Sequence, residues 1–193
     1  LGQATVNYAF ADNHLRAGRQ IFESVFTASN DTKMVPNTFD GITLVNTALE
    51  GTVLRAAWFG RQKLRDHTDS HDVITFRNAE GESWANNDDS AVHKGLSYAN
   101  FRAAGEDTDH DLLILTGKTA LGAATTLEAS GLLVPDVLAN FTLELNQNWT
   151  LGEWGFRPGL RLMTQFDEGG GAIGGASLNG NVSNPQPRGY TNP

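Results

Sequence analysis

The sequence contains no cysteine, which excludes a disulfide scaffold, a thiolate metal site and a cysteine nucleophile. It also lacks a basic cluster. The net charge of −8, from 14 Lys and Arg against 22 Asp and Glu, argues against a nucleic-acid partner. No run approaches the roughly 20 apolar residues that a membrane helix requires, so helical spans are excluded and barrel spans are not. The opening "LGQATVNYAF" shows neither the basic region nor the apolar stretch of a secretion signal. No Ser-His-Asp triad or carboxylate pair can be assembled from spacing, so neither a catalytic residue nor a cofactor is expected. With 193 residues, 39% of them apolar, the chain is long enough for one core.

What is present is a period of two. In "GAATTLEASGLLV", Ala123, Thr125, Leu127, Ala129 and Leu133 share a face opposite Thr126, Glu128 and Ser130. In "VLANFTLELNQ", Val137, Ala139, Phe141, Leu143 and Leu145 oppose Asn140, Thr142, Glu144 and Asn146. The same alternation sets Leu160, Leu162 and Phe166 against Arg161 and Gln165. This is the signature of half-buried strands. It predicts eight of them, near 3–10, 15–21, 41–47, 52–62, 111–117, 122–133, 137–146 and 156–166. The fifth, "DLLILTG", is apolar on both sides and its facing is not legible. The expected class is all-β, an antiparallel up-and-down meander.

The connections separate by length. Strands join through the short "ADNH", "ALEG", "KTAL" and "NWTLGEW", whereas "FESVFTASNDTKMVPNT" and the region 64–110 are long, and only the link near Val134-Pro135-Asp136 is short where a long one would fit the series. In a meander every second connection emerges at the same end. Short turns at one end and long loops at the other match an outer-membrane barrel, and a soluble sandwich has no reason to segregate them. Loops beyond roughly 12–15 residues are usually functional or disordered. Within 64–110, "NDDSAVHKGLSYANF" offers capping residues before Val92, Leu96 and Ala99 at helical spacing, which predicts one short helix. Aromatics sit near strand ends: Tyr8, Phe10, Trp58, Phe59, Trp149, Trp154 and Phe156. They would be interfacial girdles in a barrel and core anchors or a ligand groove in a soluble protein.

Several motifs fail on context. "GGGAIG" (169–174) spells a dinucleotide fingerprint, but "GASLNGNVSNPQP" follows it where a helix must begin. "TGKT" (116–119) lacks the earlier glycine of a phosphate loop, because Leu112 stands there. "HTDSH" lacks the glutamate of a zinc-protease motif, and in "EDTDHD" Leu112 occupies the place of the calcium-loop glycine. The sequons at Asn30, Asn140, Asn148 and Asn181 matter only in a eukaryotic secretory protein.

From Leu15 to Leu44, "LRAGRQIFESVFTASNDTKMVPNTFDGITL" resembles the OprD-like outer-membrane porins. The pieces that carry the likeness are Leu15 to Gly18, Asn30-Asp31-Thr32, Lys33, Met34-Val35, Pro36, Thr38-Phe39 and Gly41. It continues in "QKLRDHTDSHDVITF", through 111–146, and in "DEGGGAIGGASLNGN". The resemblance implies a Gram-negative outer-membrane location, an 18-stranded barrel and passive passage of small hydrophilic solutes. It also implies a row of basic side chains guiding carboxylate-bearing substrates along the inner wall. Eight strands are under half of such a barrel, so the expectation is a partial barrel over 1–193, an internal piece of a longer chain. Its partners would be outer-membrane lipid and small solutes, with monomer and homotrimer both open.

If Leu54, Ala56 and Trp58 face lipid, alternation predicts that Arg55, Arg61 and Lys63 face the lumen. Arg16, Glu128, Glu144 and Arg161 fall on polar faces of their strands, and Lys33 lies in the first long loop. These eight residues are the expected pore-lining set, with 64–110 as the constriction loop. The alternative is a soluble all-β carbohydrate-binding or adhesive module, in which the same residues are its solvated face. A barrel with a hydrolytic or adhesive task is a third reading, and no lipase-type serine is legible for it.

Overall fold

The computed structural model describes residues 2–29, 36–64, 70–73, 101–102 and 104–173. Ten strands appear in chain order. They are β1 (Ala4–Phe10), β2 (Asn13–Gln20), β3 (Thr38–Asn46), β4 (Thr52–Lys63), β5 (Leu112–Ala120), β6 (Thr125–Val134), β7 (Leu138–Gln147), β8 (Trp149–Leu151), β9 (Trp154–Phe156) and β10 (Gly159–Asp167). Eight form one sheet in the order β1-β2-β3-β4-β5-β6-β7-β10, with every neighbouring pair antiparallel. The meander is therefore as the alternation predicts, with ends displaced by a few residues. The short helix expected around Val92–Ala99 lies outside the described residues.

The strand β8–β9 hairpin is not a separate device. Its pairs Trp149↔Phe156 and Leu151↔Trp154 keep the register set by Leu145↔Leu160 and Asn146↔Gly159. The ladder is interrupted at Pro158, whose nitrogen carries no hydrogen to donate. Its carbonyl still accepts from the Gln147 N–H at 3.0 Å, and Asn148 N–H turns to the Ala124 carbonyl instead. So "NWTLGEW", expected as a connection, is the far end of one long β7–β10 hairpin that turns at Gly152 (φ 61°).

That extension reports the tilt of the strands. The hydrogen-bonded row through Phe10 and Asn13 runs across Asn46, Leu54, Gly117, Ala129, Leu143 and Leu162. The β1–β2 turn follows that row at once, while the last hairpin continues to Leu151, eight residues past Leu143. The turn end thus steps along by roughly 1.3 residues per strand. At about 3.3 Å per residue and about 4.8 Å between strands this corresponds to a tilt of roughly 40°, inside the range of closed barrels.

Cross-strand partners share a face, so the register sorts the side chains. One face is apolar over most of its area: Val6 and Tyr8 on β1, Leu54 and Trp58 on β4, Phe141 and Leu145 on β7, Leu160 and Leu162 on β10. All of these are exposed, Leu160 and Leu162 at 61% and 58%. Among the described residues no second sheet covers them, whereas a soluble sandwich has to bury this face. The opposite face carries Arg16, Thr43, Arg55, Thr116, Lys118, Glu128, Ser130 and Glu144. The register also settles β5: Leu112, Ile114, Thr116 and Lys118 take the polar face, and Leu113 and Leu115 the apolar one.

The buried cluster lies on the polar face, at the end with the long connections. Phe59 and Ile114 are fully buried there beneath Phe22, Val73, Phe101 and Ile173, which come from segments between or after strands. Phe22 meets the Phe59 ring edge-on at 5.2 Å. The chain after β10 makes a single 3-10 turn, Gly170–Ala172, tied by Gly170 N–H to the Val137 carbonyl. "GGGAIG" thus begins in a turn, with no helix among its described residues.

Candidate functional site

The polar face holds two sets of charged residues. The first is a row across four strands, Lys118–Glu128–Glu144–Arg161, each residue the direct cross-strand partner of the next. Lys118 Nζ lies 3.7 Å from Glu128, and the Arg161 guanidinium closes on Glu144 with both Nε and Nη2. Asn146 donates a further hydrogen bond to Glu144. Two carboxylates side by side repel, and a cation at each end of the row compensates them. Among the described residues there is no group of three or more His, Asp and Glu that could hold a metal.

The second set is less balanced. Arg16 donates from Nε to the Asn7 side chain at 2.9 Å, a neutral acceptor. The Arg55 guanidinium lies over the Phe22 ring, 4.5 Å from its centre, so a cation–π contact holds it in place without neutralising it. Neither arginine forms an ion pair with a described carboxylate. Following the tilt, roughly 1.3 residues per strand, Arg16 on β2, Arg55 on β4 and Lys118 on β5 come to about the same level.

Two expected members belong elsewhere. Between β3 and β4 the register shifts: Gly41 pairs with Phe59, but the next pair is Asp40 with Arg61. Gly60 is the extra residue of a β-bulge, which resets the alternation beyond it. Arg61 and Lys63 therefore share the row side of Trp58, not that of Arg55. Arg61 is exposed there, and Lys63 is buried at 7%. Lys33 lies outside the described residues. Lys118, conversely, was missing from the expected set, because its strand is apolar on both sides and only pairing with Glu128 reveals its facing.

The stems of the long 64–110 segment return over the polar face. His71 bridges to Gln62 of β4 through two backbone hydrogen bonds. Asp72 accepts from the backbone N–H of His110, and Phe101 packs edge-on against the His110 ring at 4.7 Å. His71, Asp72, Phe101 and His110 are all buried.

Comparison with known proteins decides what this sheet is. A family described as outer membrane porin, OprD family, matches residues 2–111. The chain belongs to the OprD family. Solved structures agree on the OprD-type fold. Pseudomonas aeruginosa OccK8 (OprE) superposes with a TM-score of 0.67 at 18% identity, covering 86% of this chain and 37% of that one. Pseudomonas aeruginosa OpdK, solved with vanillate, gives 0.65 at 17% identity over 86% and 37%. A BenF-like porin from Pseudomonas fluorescens Pf-5 gives 0.66 at 15% identity over 87% and 37%. The chain thus spans little more than a third of the length of these OprD-type neighbours. No curated protein sequence matches it. In outer-membrane barrels an apolar outward band meets lipid and the polar side faces in, which accounts for the exposure of Leu160, Leu162 and Tyr8.

Proposed function

We propose that the protein containing this chain is a passive outer-membrane channel, not an enzyme, for small hydrophilic solutes, carboxylate-bearing ones above all. The observation that carries this reading is the set Arg16, Arg55 and Lys118 at one level of the inward face, two of them without a described carboxylate partner. Cations in a narrow, partly desolvated passage raise the local concentration of anions without gripping any one of them. OpdK, whose structure was solved with vanillate, is a fold neighbour whose ligand carries a carboxylate.

In this reading Arg16, Arg55, Lys118, Glu128, Glu144 and Arg161 line the pore. The Glu128–Glu144 pair with its flanking cations forms a compensated strip that steers solutes toward the basic one. The segment 64–110 is the constriction, because both of its stems are buried against the inward face.

The test is liposome swelling with the full-length parent protein, comparing an aromatic carboxylate with its neutral amide. Faster entry of the carboxylate, lost when Arg16 and Arg55 are both changed to Gln, is the expected result. Equal rates for the two solutes would remove carboxylate preference, and no swelling with either would remove the channel itself.

A further inference from the structure

Arg55 heads a row of hydroxyls on the inward face. Thr116 of β5 is its direct cross-strand partner, Ser130 of β6 pairs with Thr116, and Thr142 of β7 pairs with Ser130. All three hydroxyl residues are buried, Thr142 at 2%. The row lies between the charged Lys118–Glu128–Glu144 row and the apolar Ile114–Leu132 pair. Strand tilt slants it across the wall, so that Thr142 is nearest the long connections and Arg55 farthest from them.

Hydroxyls opposite one another in a sheet commonly bond together. Ser130 does so, donating from Oγ to Thr116 Oγ1 at 3.2 Å. Thr142 does not: its Oγ1 is buried and has no hydrogen-bond partner. Each hydroxyl brings one donor and two lone pairs, so most of the capacity of the row is unspent. A buried hydroxyl without a partner is destabilising. A valine at 142 would fill the same space without that cost, so the hydroxyl points to a polar partner that arrives from the passage.

We propose that Thr116, Ser130 and Thr142 form a hydrogen-bonding rail for a polyhydroxylated carboxylate of the sugar-acid class, whose carboxylate is drawn to Arg55. This deepens the channel reading above and rests on it. The rail spans two strand spacings, about 10 Å, so it meets several hydroxyls of one solute at once. A solute stripped of water in a narrow passage exchanges its water hydrogen bonds for those of the wall. A carboxylate without hydroxyls leaves the buried groups of the wall unpaired and is discriminated against for that reason.

The experiment reads reversal potentials of the full-length protein in planar bilayers, with potassium gluconate on one side and potassium hexanoate on the other. The two anions share charge and chain length. Gluconate is the bulkier, so sieving alone favours hexanoate. Wild type is expected to pass gluconate several-fold more readily. Thr142→Val, alone or with Ser130→Ala, should at least halve that ratio, whereas Thr142→Ser should keep most of it. Conductance in potassium chloride checks that each variant forms an intact pore. A wild-type ratio at or below one, or a ratio unchanged in both Val variants, would overturn the proposal. Equal loss in Thr142→Ser would also overturn it, by making packing of the methyl group the cause. These outcomes in a conducting pore leave the channel reading standing; absence of any conductance would remove both.

Discussion

Gly41 faces Phe59 across β3 and β4 with no room for a side chain: a Cβ on it would drive into the Trp58 carbonyl oxygen and the Phe59 Cα and ring. This close approach occurs at the step where the register shifts, so a missing side chain and an extra residue, Gly60, act together. They decide which face Arg61 joins.

Gly41→Ala should therefore destabilise the barrel by about 1–3 kcal/mol, the usual cost of overpacking. The clash is with backbone, which cannot rotate aside. Urea unfolding of the full-length protein in lipid vesicles measures it. A variant as stable as wild type would mean that the bulge is not held by this contact.

The two faces should answer differently to the same charge. Leu162→Arg, on the lipid side, is expected to cost about 2–4 kcal/mol, the range for Arg near the midplane. Met163→Arg, its neighbour on the inward face, should stay within about 0.5 kcal/mol, as exposed substitutions do. Equal costs in the same unfolding assay would contradict the assignment of faces.

Arg161 and Glu144 are close, but Arg161 is half-exposed, at 52%. A double-mutant cycle on this pair should return a coupling of about 0.2–1 kcal/mol, since solvent screens it. Its larger effect is expected in ion selectivity. Arg161→Gln leaves Glu144 uncompensated, so the reversal potential in a salt gradient across a planar bilayer should move toward cations. A shift toward anions would place Glu144 away from the conducting path.

Removing residues 78–98 should raise single-channel conductance, because the stems around Val73 and Phe101 are packed on the inward face and so is the entry to that segment. Unchanged conductance would end its proposed role as the constriction.

Trp149 and Trp58 should report opposite borders of the membrane. In variants keeping one tryptophan, Trp149 is expected to be quenched most by bromines near the headgroup. Strongest quenching from bromines near the chain ends would place the β8–β9 hairpin deep in the bilayer and contradict the tilt.

Much of this was legible from alternation alone, because lipid on one side and a wet lumen on the other impose a strict two-residue period. Leu143, Leu145, Leu160 and Leu162 could be placed that way, as could Arg16, Arg55, Glu128, Glu144 and Arg161. Arg61 and Lys63 could not. Parity carries them along with Arg55 unless the bulge is known, and a bulge depends on how two strands meet. Lys118 was hidden for a related reason: nothing in "DLLILTG" distinguishes its sides until Glu128 pairs with Lys118. In "NWTLGEW", the Asn and Gly residues suggest a turn, whereas the pairs Trp149↔Phe156 and Leu151↔Trp154 show a ladder resuming after Pro158.

In the proposed channel the slant of the strands would also govern the order in which a travelling molecule meets these side chains. Partners joined across a ladder are not abreast of one another for a passenger moving straight through the wall. Arg16, Arg55 and Lys118 would meet it together, as one landing. A solute entering from the long-loop end would meet Arg161, Glu144 and Glu128 one after another before that landing, like treads on a winding staircase, though they are drawn up in line on the sheet. A molecule with its charge at one end can hand that charge from tread to tread while it turns.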